Sequence, residues 1–272
     1  PRARSFRMSD RRRSTVVAGG AAAGIAAIFN APLAGVFFAL EVILRSFTAR
    51  GFSTVVISAV AANAVWRVLV GDESVLTAEV HQLIHPSELV LYAVLGIVAA
   101  VVAVGFVRLL YLVEDRFDAL PVLADLRPAI GAVMVGILGA ISIDFLVSGL
   151  GGIDNALAGE FAFRFLLFLI VAKMLATALT LGSGGSGGIF SPSLFVGALL
   201  GSAYGEIVNQ LFPDSTAPAG AYAVVGMAAV FAAAAQAPMS SIFIVFEMPN
   251  DFGLLMPLMP ACAAEPAPYT AN

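Results

Sequence analysis

The sequence contains a glycine-serine loop whose composition would let its backbone bind an ion. The loop Gly182-Ser-Gly-Gly-Ser-Gly-Gly188 leads directly into Ile189-Phe190-Ser191-Pro192 and an apolar stretch. Glycines let the backbone approach a ligand closely, and the first turn of a helix has N–H groups without intrahelical acceptors. The helix dipole places a partial positive charge at the same end. The spacing therefore predicts an anion site formed by backbone N–H groups at a helix N-terminus.

Two other interpretations of this loop stay open. Gly182, Gly184 and Gly187 form the pattern G-x-G-x-x-G, and Glu206 follows about 20 residues later, as in a dinucleotide site. That site requires a preceding strand, whereas the flanking segments are apolar runs of membrane length. A nucleotide-dependent membrane oxidoreductase is therefore a remote alternative. A flexible linker is the other interpretation, and it poorly explains why the loop lies between two apolar segments.

Few other side chains could catalyse a reaction or bind a metal. The sequence has one cysteine, Cys262, and two histidines, His81 and His85. This excludes a disulfide framework and a cysteine-based zinc cluster, and the histidines are expected to be plain loop residues. We therefore predict no catalytic residue, no metal and no cofactor, and the chain is not expected to be an enzyme.

The composition indicates what surrounds these residues. Of the 272 residues, 60% are hydrophobic and only 12% are charged, and the mean hydropathy is +0.96. An average soluble domain is about 45–50% apolar and about 25% charged. These values largely exclude a soluble enzyme, a nucleic-acid binder and a disordered chain, and they indicate a protein whose solvent is mostly lipid.

The N-terminal segment carries an excess of positive charge. By the positive-inside rule, residues 1–15 are expected to be a basic cytosolic lead-in to a multi-pass integral protein of a cell inner or plasma membrane. Because the chain starts at Pro1 within this basic stretch, we expect it to be a fragment of a longer protein. The basic residues are Arg2, Arg4, Arg7, Arg11, Arg12 and Arg13.

Apolar runs separated by short polar breaks predict an all-α, polytopic membrane domain over residues 16–260. Several runs reach about the 20 residues that a membrane span needs, and no strand alternation persists. Other runs are short and interrupted by proline, which predicts tilted and broken helices. Residues 261–272 are a polar tail. The predicted apolar segments are Val16–Phe29, Pro32–Leu44, Phe52–Val70, Ser87–Val113, Pro128–Val147, Phe161–Leu181, Ile189–Phe212, Ala221–Ala235 and Pro238–Pro260, with a charged connector Glu114–Arg127 and a glycine-rich segment Ser148–Glu160.

An internal repeat relates two of the broken segments. A shift of 206 positions aligns Gly20–Glu41 with Gly226–Glu247 at nine identical positions of 22, without a gap. The aligned segments share an amide-Ala-Pro break, at Asn30 and Gln236, and a terminal glutamate. Paired, interrupted short helices in corresponding halves are typical of a transporter or channel with an inverted repeat and a binding site near mid-membrane.

Some charged and small residues within the apolar segments have two interpretations. Glu41 and Glu247 end short apolar helices, so each is either a functional carboxylate or a carboxylate that binds backbone N–H groups at a loop. Lys173 is expected to snorkel to an interface, with attraction of anions as the alternative. Small residues are expected to permit close helix packing, at Gly19, Gly20, Gly24, Gly35, Gly197 and Gly201.

Taken together, these segments resemble the CLC family of chloride channels and chloride/proton exchangers. GGIFSP at Gly187–Pro192 is similar to the family's GxFxP signature, and Gly20–Glu41 resembles the helix pair of its first repeat. Ser9–Gly24 is similar to the cytosolic entry into that pair, while Gly201–Gly205 and Ala221–Glu247 fit the later half. The resemblance covers nearly the whole chain and several independent motifs in order.

The resemblance implies where an anion would bind. In the family a dehydrated anion lies between helix N-termini, and GxFxP supplies backbone N–H groups. The family's serine-bearing loop, its GxEGP loop with the gating glutamate and its pore tyrosine are not visible here, and Tyr269 in the polar tail is not assigned the tyrosine's role. The chain thus resembles the central part of a protomer. The implied anion-binding residues are Gly187 and Gly188 for access, Ile189 and Phe190 as donors, and Ser191 and Pro192 in the first turn.

The resemblance also implies a mechanism and an assembly. Exchangers of the family commonly carry a second, inward-facing glutamate directly after the acid that corresponds to Glu41, but this chain has Val42 there. Valine cannot bind a proton, so the coupling position, Val42 with Glu41, predicts a passive channel for chloride or a similar anion. A chloride/proton exchanger is the alternative. A homodimer is implied, with contacts at Pro32–Leu44, Phe52–Val70 and Ala221–Pro260.

Overall fold

The computed structural model describes residues 10–46, 48–71, 76, 88–141, 150–159, 161–213, 216–249 and 252–263. Within these ranges every regular element is helical and no strand occurs, which confirms the predicted all-α fold class. A π-helical turn at Ala39–Leu44 continues α2, and short 3-10 turns lie at Ala124–Leu126 and Phe252–Leu254. The helices are α1 (Asp10–Ile28), α2 (Pro32–Phe38), α3 (Ala49–Leu69), α4 (Glu88–Asp118), α5 (Arg127–Ile141), α6 (Leu150–Leu157), α7 (Phe163–Gly182), α8 (Phe190–Leu211), α9 (Ala219–Ala235), α10 (Pro238–Glu247) and α11 (Leu255–Ala263).

The helix boundaries differ from the predicted segments at several places. The first helix begins at Asp10, inside the basic lead-in, because arginine is a good helix former and an acid suits a helix N-terminus. The helix α4 continues to Asp118 through part of the charged connector, and α6 lies within the glycine-rich segment, where no helix was predicted. The span predicted at 128–147 and the polar tail fall partly outside the described residues.

Three of the described helices are long and apolar enough to cross a membrane. They are Gly51–Leu69, Glu88–Asp118 and Phe163–Gly182, in agreement with three predicted spans. Large apolar side chains lie on their outer faces, since Val68 is 85% and Ile57 is 70% exposed. A soluble monomer rarely exposes large contiguous apolar patches, so these faces are suited to lipid.

The chain divides into two compact units, and the first holds α1, α2, α3 and α10. Its core is formed mainly by fully buried alanines, with Val36, Leu40 and Val55 between them. A Cβ on Gly35 of α2 would meet the carbonyl oxygen of Ala22 in α1. Small residues therefore bring the helix backbones together, as they commonly do in membrane proteins. The buried alanines are Ala18, Ala22, Ala26, Ala39 and Ala59.

The second unit holds α4 to α9 and α11. In it, α8 and α9 cross at glycines, because a Cβ on Gly197 or Gly226 would meet the carbonyl oxygen of the other residue. A Cβ on Gly201 would meet the backbone of Tyr222 in α9. This crossing fixes α8, whose first turn is the predicted anion site, firmly against its neighbour.

The packing role expected for small residues holds at most but not all of the positions named. Gly35, Gly197 and Gly201 each lie against another helix backbone, and a Cβ on Gly19 would lie 2.9 Å from the hydroxyl of Ser58. At two further positions nothing lies within 4 Å of an added Cβ, so the expectation is wrong there. These positions are Gly20 and Gly24.

Candidate anion site and the repeat helices

The glycine-serine loop is a structured helix end and not a flexible linker. After α7 ends at Gly182, the N–H of Gly185 donates a hydrogen bond to the carbonyl oxygen of Thr180 at 2.9 Å. Gly184 has a φ of 84°, a left-handed conformation that glycine adopts without steric cost. The chain therefore leaves α7 through a defined cap and turns toward the start of α8.

The helix α8 begins without a side-chain cap. Ile189 is its N-cap residue, and Phe190, Ser191 and Pro192 form its first turn. Within the described part of the chain, no hydrogen-bond acceptor faces the backbone N–H groups of Gly188 and Ile189. Proline has no N–H group, and its place in the first turn removes no intrahelical hydrogen bond. Such a helix start is suited to binding an anion.

A cavity of about 180 Å³ lies beside this helix start. Gly187, Gly188 and Pro192 line it together with Lys173 and Thr177 of α7. A Cβ on Gly188 would meet nothing within 4 Å, so the backbone is open at that point. One water occupies about 30 Å³ in the liquid, so the cavity has room for a small anion with water. The remaining lining residues are Val135, Ala176, Thr180 and Leu181.

Phe190 holds the first turn of α8 in place. Its ring lies 4.3 Å from the ring of Phe231 in α9, measured between centroids, at an interplanar angle of 49°. The hydroxyl of Ser193 donates to the carbonyl oxygen of Phe190 at 2.8 Å. The predicted anion-binding residues therefore form one continuous segment whose direction is set by packing against α9.

The dinucleotide interpretation of the loop is wrong. It requires a strand before Gly182, but the 20-residue helix α7 occupies that place, and the described residues contain no strand. A dinucleotide loop depends on a βαβ unit for its geometry. The oxidoreductase alternative is therefore discarded.

The internal repeat is present in the backbone as well as in the sequence. Asn30 and Gln236 have nearly equal positive φ values, 49° and 52°. The alanines that follow also match, with φ −127° and ψ 78° at Ala31 and φ −136° and ψ 67° at Ala237. In both copies a left-handed residue follows the end of one helix, and a proline at the first position starts the next. The amide-Ala-Pro break therefore has one structural meaning in both copies.

Glu247, the last residue of α10, caps the start of α2. Its carboxylate accepts hydrogen bonds from the N–H groups of Leu33 and Ala34 at 3.1 and 2.8 Å. The N-cap residue of α2, Ala31, has no side chain that could do this. A carboxylate at a helix N-terminus also interacts favourably with the helix dipole.

Glu41 caps α10 in return. Its carboxylate accepts hydrogen bonds from the N–H groups of Met239 and Ser240 at 3.2 and 2.8 Å, and from the Ser240 hydroxyl at 2.5 Å. Because each helix is capped by the acid at the other's C-terminal end, α2 and α10 are antiparallel. The rings of Phe37 and Phe243 stack between them, with centroids 4.1 Å apart and planes 6° from parallel.

These contacts correspond to one of the two interpretations left open for the glutamates, that of carboxylates binding backbone N–H groups.

A third acid, which the sequence analysis did not single out, lies at the start of α9. The N–H of Ala217, shortly before α9, donates to the carboxylate of Glu88, which is fully buried. Glu88 follows a polar loop and opens a long apolar helix, so its sequence context resembles an ordinary helix start.

Val42 lies in the π-helical turn Ala39–Leu44 and is half-buried. The turn ends at Arg45, which has a left-handed φ of 47°. π-helical turns are frequent at functional sites. At the position predicted to couple protons to the anion, Val42 cannot titrate, and the carboxylate of the neighbouring Glu41 is hydrogen-bonded to α10.

Lys173 does not snorkel as expected. It lies in the middle of α7, and only 8% of the residue is exposed. Its Nζ lies 5.2 Å from the centre of the Phe195 ring, and the residue lines the cavity at the start of α8. Of the other residues named from the sequence, Cys262 is buried, and His81, His85 and Tyr269 lie outside the described residues.

Comparisons with known sequences agree with these features. A family model described as voltage gated chloride channel matches residues 2–264. The H(+)/Cl(-) exchange transporter ClcA of Vibrio campbellii is 36% identical over 261 residues, which cover 93% of this chain and 56% of that protein. The chloride channel protein CLC-f of Arabidopsis thaliana is 37% identical, covering 92% of this chain and 35% of that protein. The chain thus spans about half the length of the exchange transporter, and less of the plant protein.

Solved structures show the same relationship. A slow cyanobacterial Cl−/H+ antiporter aligns with a TM-score of 0.87 and 27% identity over 95% of this chain and 62% of the other. A eukaryotic CLC transporter aligns with a TM-score of 0.75 and 25% identity over 96% of this chain and 47% of the other. These are transport proteins and not enzymes, as expected from the sequence. The family model matches nearly the whole chain, and the GxFxP helix start and the duplicated broken helices agree with it. The chain therefore belongs to the CLC family of voltage-gated chloride channels and related exchangers.

Proposed function

We propose that the protein moves chloride or a similar small anion across a lipid bilayer. The observation that carries this proposal is the start of α8, which has no side-chain cap and where Gly187, Gly188 and Pro192 line a cavity of about 180 Å³. Backbone dipoles can bind an anion without the tight hold of a full countercharge in direct contact, which favours conduction.

We further propose that this movement is an exchange of chloride for protons. Support comes from the relatives, because the Vibrio campbellii protein is named an H(+)/Cl(-) exchange transporter and the cyanobacterial structure a Cl−/H+ antiporter. The cyanobacterial structure also aligns with the higher TM-score of the two solved structures described above. Val42 cannot titrate and the carboxylate of Glu41 caps α10, so the proton would bind at a group other than these two.

A passive channel is the second candidate, and Val42 is the observation that favours it. In this interpretation the protein lacks an inner proton acceptor, because the neighbouring Glu41 serves as the cap of α10. The plant relative, named a chloride channel protein, also fits this candidate. The two candidates differ in one measurable property, the movement of protons against their gradient.

A proteoliposome experiment separates the candidates. The full-length protein is reconstituted in vesicles that have a chloride gradient but no pH gradient, with the membrane potential clamped by valinomycin and potassium. We expect chloride efflux to drive protons uphill, recorded as a change in external pH. Chloride efflux without proton movement would establish the passive channel, and the absence of any chloride flux would overturn the transport proposal itself.

A substitution at the coupling position adds a matched comparison. Val42→Glu introduces a titratable group at the half-buried position, and Val42→Leu changes its shape without adding a proton site. If exchange is limited by the missing acid, Val42→Glu raises the number of protons moved per chloride while Val42→Leu leaves it unchanged. An equal ratio in both variants would show that this position has no part in coupling.

The protein is further proposed to act as a homodimer in an inner or plasma membrane, with the basic N-terminal segment in the cytosol. The outward apolar side chains of α3, such as Val68 and Ile57, support a helix that contacts lipid or a second copy. Light scattering of the protein in detergent gives the oligomeric state. A monomeric mass would contradict the dimer without affecting the transport proposal.

A further inference from the structure

Lys173 is a basic side chain placed where a membrane protein would ordinarily avoid one. It lies midway along α7, a helix long and apolar enough to cross a membrane. Only 8% of the residue is exposed to solvent. Placing a lysine at the centre of a membrane helix costs roughly 2.5–3.5 kcal/mol on insertion scales. Intramembrane ionisable groups are therefore mainly found where they serve a function.

The surroundings of Lys173 indicate what that function is. The residue lines the same cavity as Gly187, Gly188 and Pro192, and no acidic residue is among the described residues that line it. The Nζ atom lies 5.2 Å from the centre of the Phe195 ring, in the second turn of α8. An ammonium group near the face of an aromatic ring is attracted by the ring's electrons.

The other polar side chains of the cavity wall do not provide donors to it. The hydroxyl of Thr177 donates to the carbonyl oxygen of Lys173 at 2.8 Å, and the hydroxyl of Thr180 donates to that of Ala176 at 2.7 Å. Both hydroxyl protons are thus used within α7. Of the side chains that line the cavity, Lys173 is the one with a full positive charge.

We propose that the Lys173 ammonium is a second component of the anion site at the start of α8 and raises its affinity for a small monovalent anion. This assignment rests on the proposed anion transport. The backbone N–H groups make the direct contact, and Lys173 acts across the cavity as a positioning charge. Its effect is therefore on how strongly the site attracts the anion, not on which atoms bind it.

The test measures chloride affinity of the full-length protein in detergent by titration calorimetry, and stability in a chloride-free buffer. Lys173→Met removes the charge at similar volume, and Lys173→Arg keeps it. Arg164→Met is the matched control, because it removes one charge from an exposed position in the first turn of the same helix. At a partly screened distance of several ångströms, a unit charge changes affinity about tenfold.

We expect Lys173→Met to weaken chloride binding about tenfold without lowering the melting temperature in chloride-free buffer. Lys173→Arg and Arg164→Met are expected to bind chloride like the unmodified protein. If Lys173→Met binds chloride as the unmodified protein does, the assignment of Lys173 is overturned and the transport proposal stands. If the unmodified protein binds no chloride, the transport proposal is overturned together with the assignment. Should Lys173→Met fail to fold, Lys173→Gln with the same two measurements decides the question.

Discussion

Three helices differ in what lies at their N-terminal backbone N–H groups. They are α2 and α10 in the first unit and α8 in the second. In the first unit Glu247 and Glu41 supply carboxylates to the two repeat helices. In the second unit the N-cap residue of α8 is Ile189, whose apolar side chain cannot accept a hydrogen bond. All three helices start after a break in an apolar sequence, so the difference lies in what occupies the N-terminus.

This difference teaches how a helix start in an apolar environment becomes a binding site. Unpaired N–H groups away from water are costly, so a buried helix start needs an acceptor. Where a carboxylate of the same chain is that acceptor, the helix start forms a fixed contact with the element that carries the carboxylate. At α8 the N–H groups of Gly188 and Ile189 face no acceptor among the described residues, and the exposed glycine loop gives a mobile anion access to them.

The largest expected effect comes from removing both built-in carboxylates. The double variant Glu41→Ala with Glu247→Ala leaves four N–H groups of α2 and α10 without acceptors, and each unsatisfied end costs about 1–3 kcal/mol. We expect the free energy of unfolding to fall by about 2–6 kcal/mol, measured by thermal or denaturant unfolding in detergent. The control is Glu114→Ala, an exposed acid beyond the membrane-length part of α4; equal losses in both variants would refute the capping role.

The next variant removes the difference between α8 and the repeat helices by placing a carboxylate at the N-terminus of α8. Ile189→Asp places an acid at the N-cap, where it would bind the first-turn N–H groups and repel chloride. Like charges at close range cost several kcal/mol, so we expect chloride affinity to fall about a hundredfold. Stability should rise by about 1 kcal/mol, because aspartate is a strong N-cap residue.

Ile189→Ala controls for the lost side chain and should keep most of the chloride affinity. Unchanged chloride binding by Ile189→Asp would mean that the first turn of α8 does not contact the anion. The measurement is the same calorimetric titration, with the melting temperature recorded alongside it.

Two neighbouring glycines sharpen the comparison within the loop. A Cβ on Gly185 would lie 2.6 Å from the carbonyl oxygen of Thr180, whereas a Cβ on Gly188 would meet nothing within 4 Å. We expect Gly185→Ala to lower stability by about 1–3 kcal/mol. Gly188→Ala should leave stability in chloride-free buffer within about 0.5 kcal/mol but reduce the stabilisation that added chloride produces. The opposite pattern would exchange the structural and binding roles assigned to these two positions.

The smallest expected effect concerns the asymmetry between the two caps. Ser240 donates a hydroxyl hydrogen bond to Glu41, but its counterpart in the repeat is Ala34, which can donate only its N–H to Glu247. Ser240→Ala should therefore lower stability by about 1 kcal/mol, and Ala34→Ser should recover a similar amount. Unfolding of the two single variants and the exchanged double variant measures this; a loss much larger than 1 kcal/mol would indicate a role for Ser240 beyond the cap.

The sequence was sufficient to predict the repeat helices but not how they meet. The amide-Ala-Pro break and the terminal glutamates are local patterns, and both appear at the expected positions. That Glu41 reaches Ser240 depends on an antiparallel arrangement of α2 and α10, across 199 residues of chain. Local patterns carry no information on such a contact.

Two other features escaped prediction for physical reasons. Lys173 was expected at an interface because a long flexible side chain can reach water, and only the packing of α7 beside α8 shows that it is enclosed. No helix was predicted in the glycine-rich segment that holds α6, since glycine lowers helix propensity by about 1 kcal/mol per residue. In the structure, tertiary contacts of buried Ile153 and Ala156 outweigh that cost.

The stacked pair of Phe37 and Phe243 has a further consequence. The two residues hold the same place in the repeat, so their stack is the contact that one repeat would make with an identical second one. A half-length ancestor with this phenylalanine and the terminal glutamate would be self-complementary, as an isologous dimer interface must be. In the present chain each repeat helix thus offers the same phenylalanine and the same glutamate to the other, so α2 and α10 meet as two nearly equivalent halves of one interface.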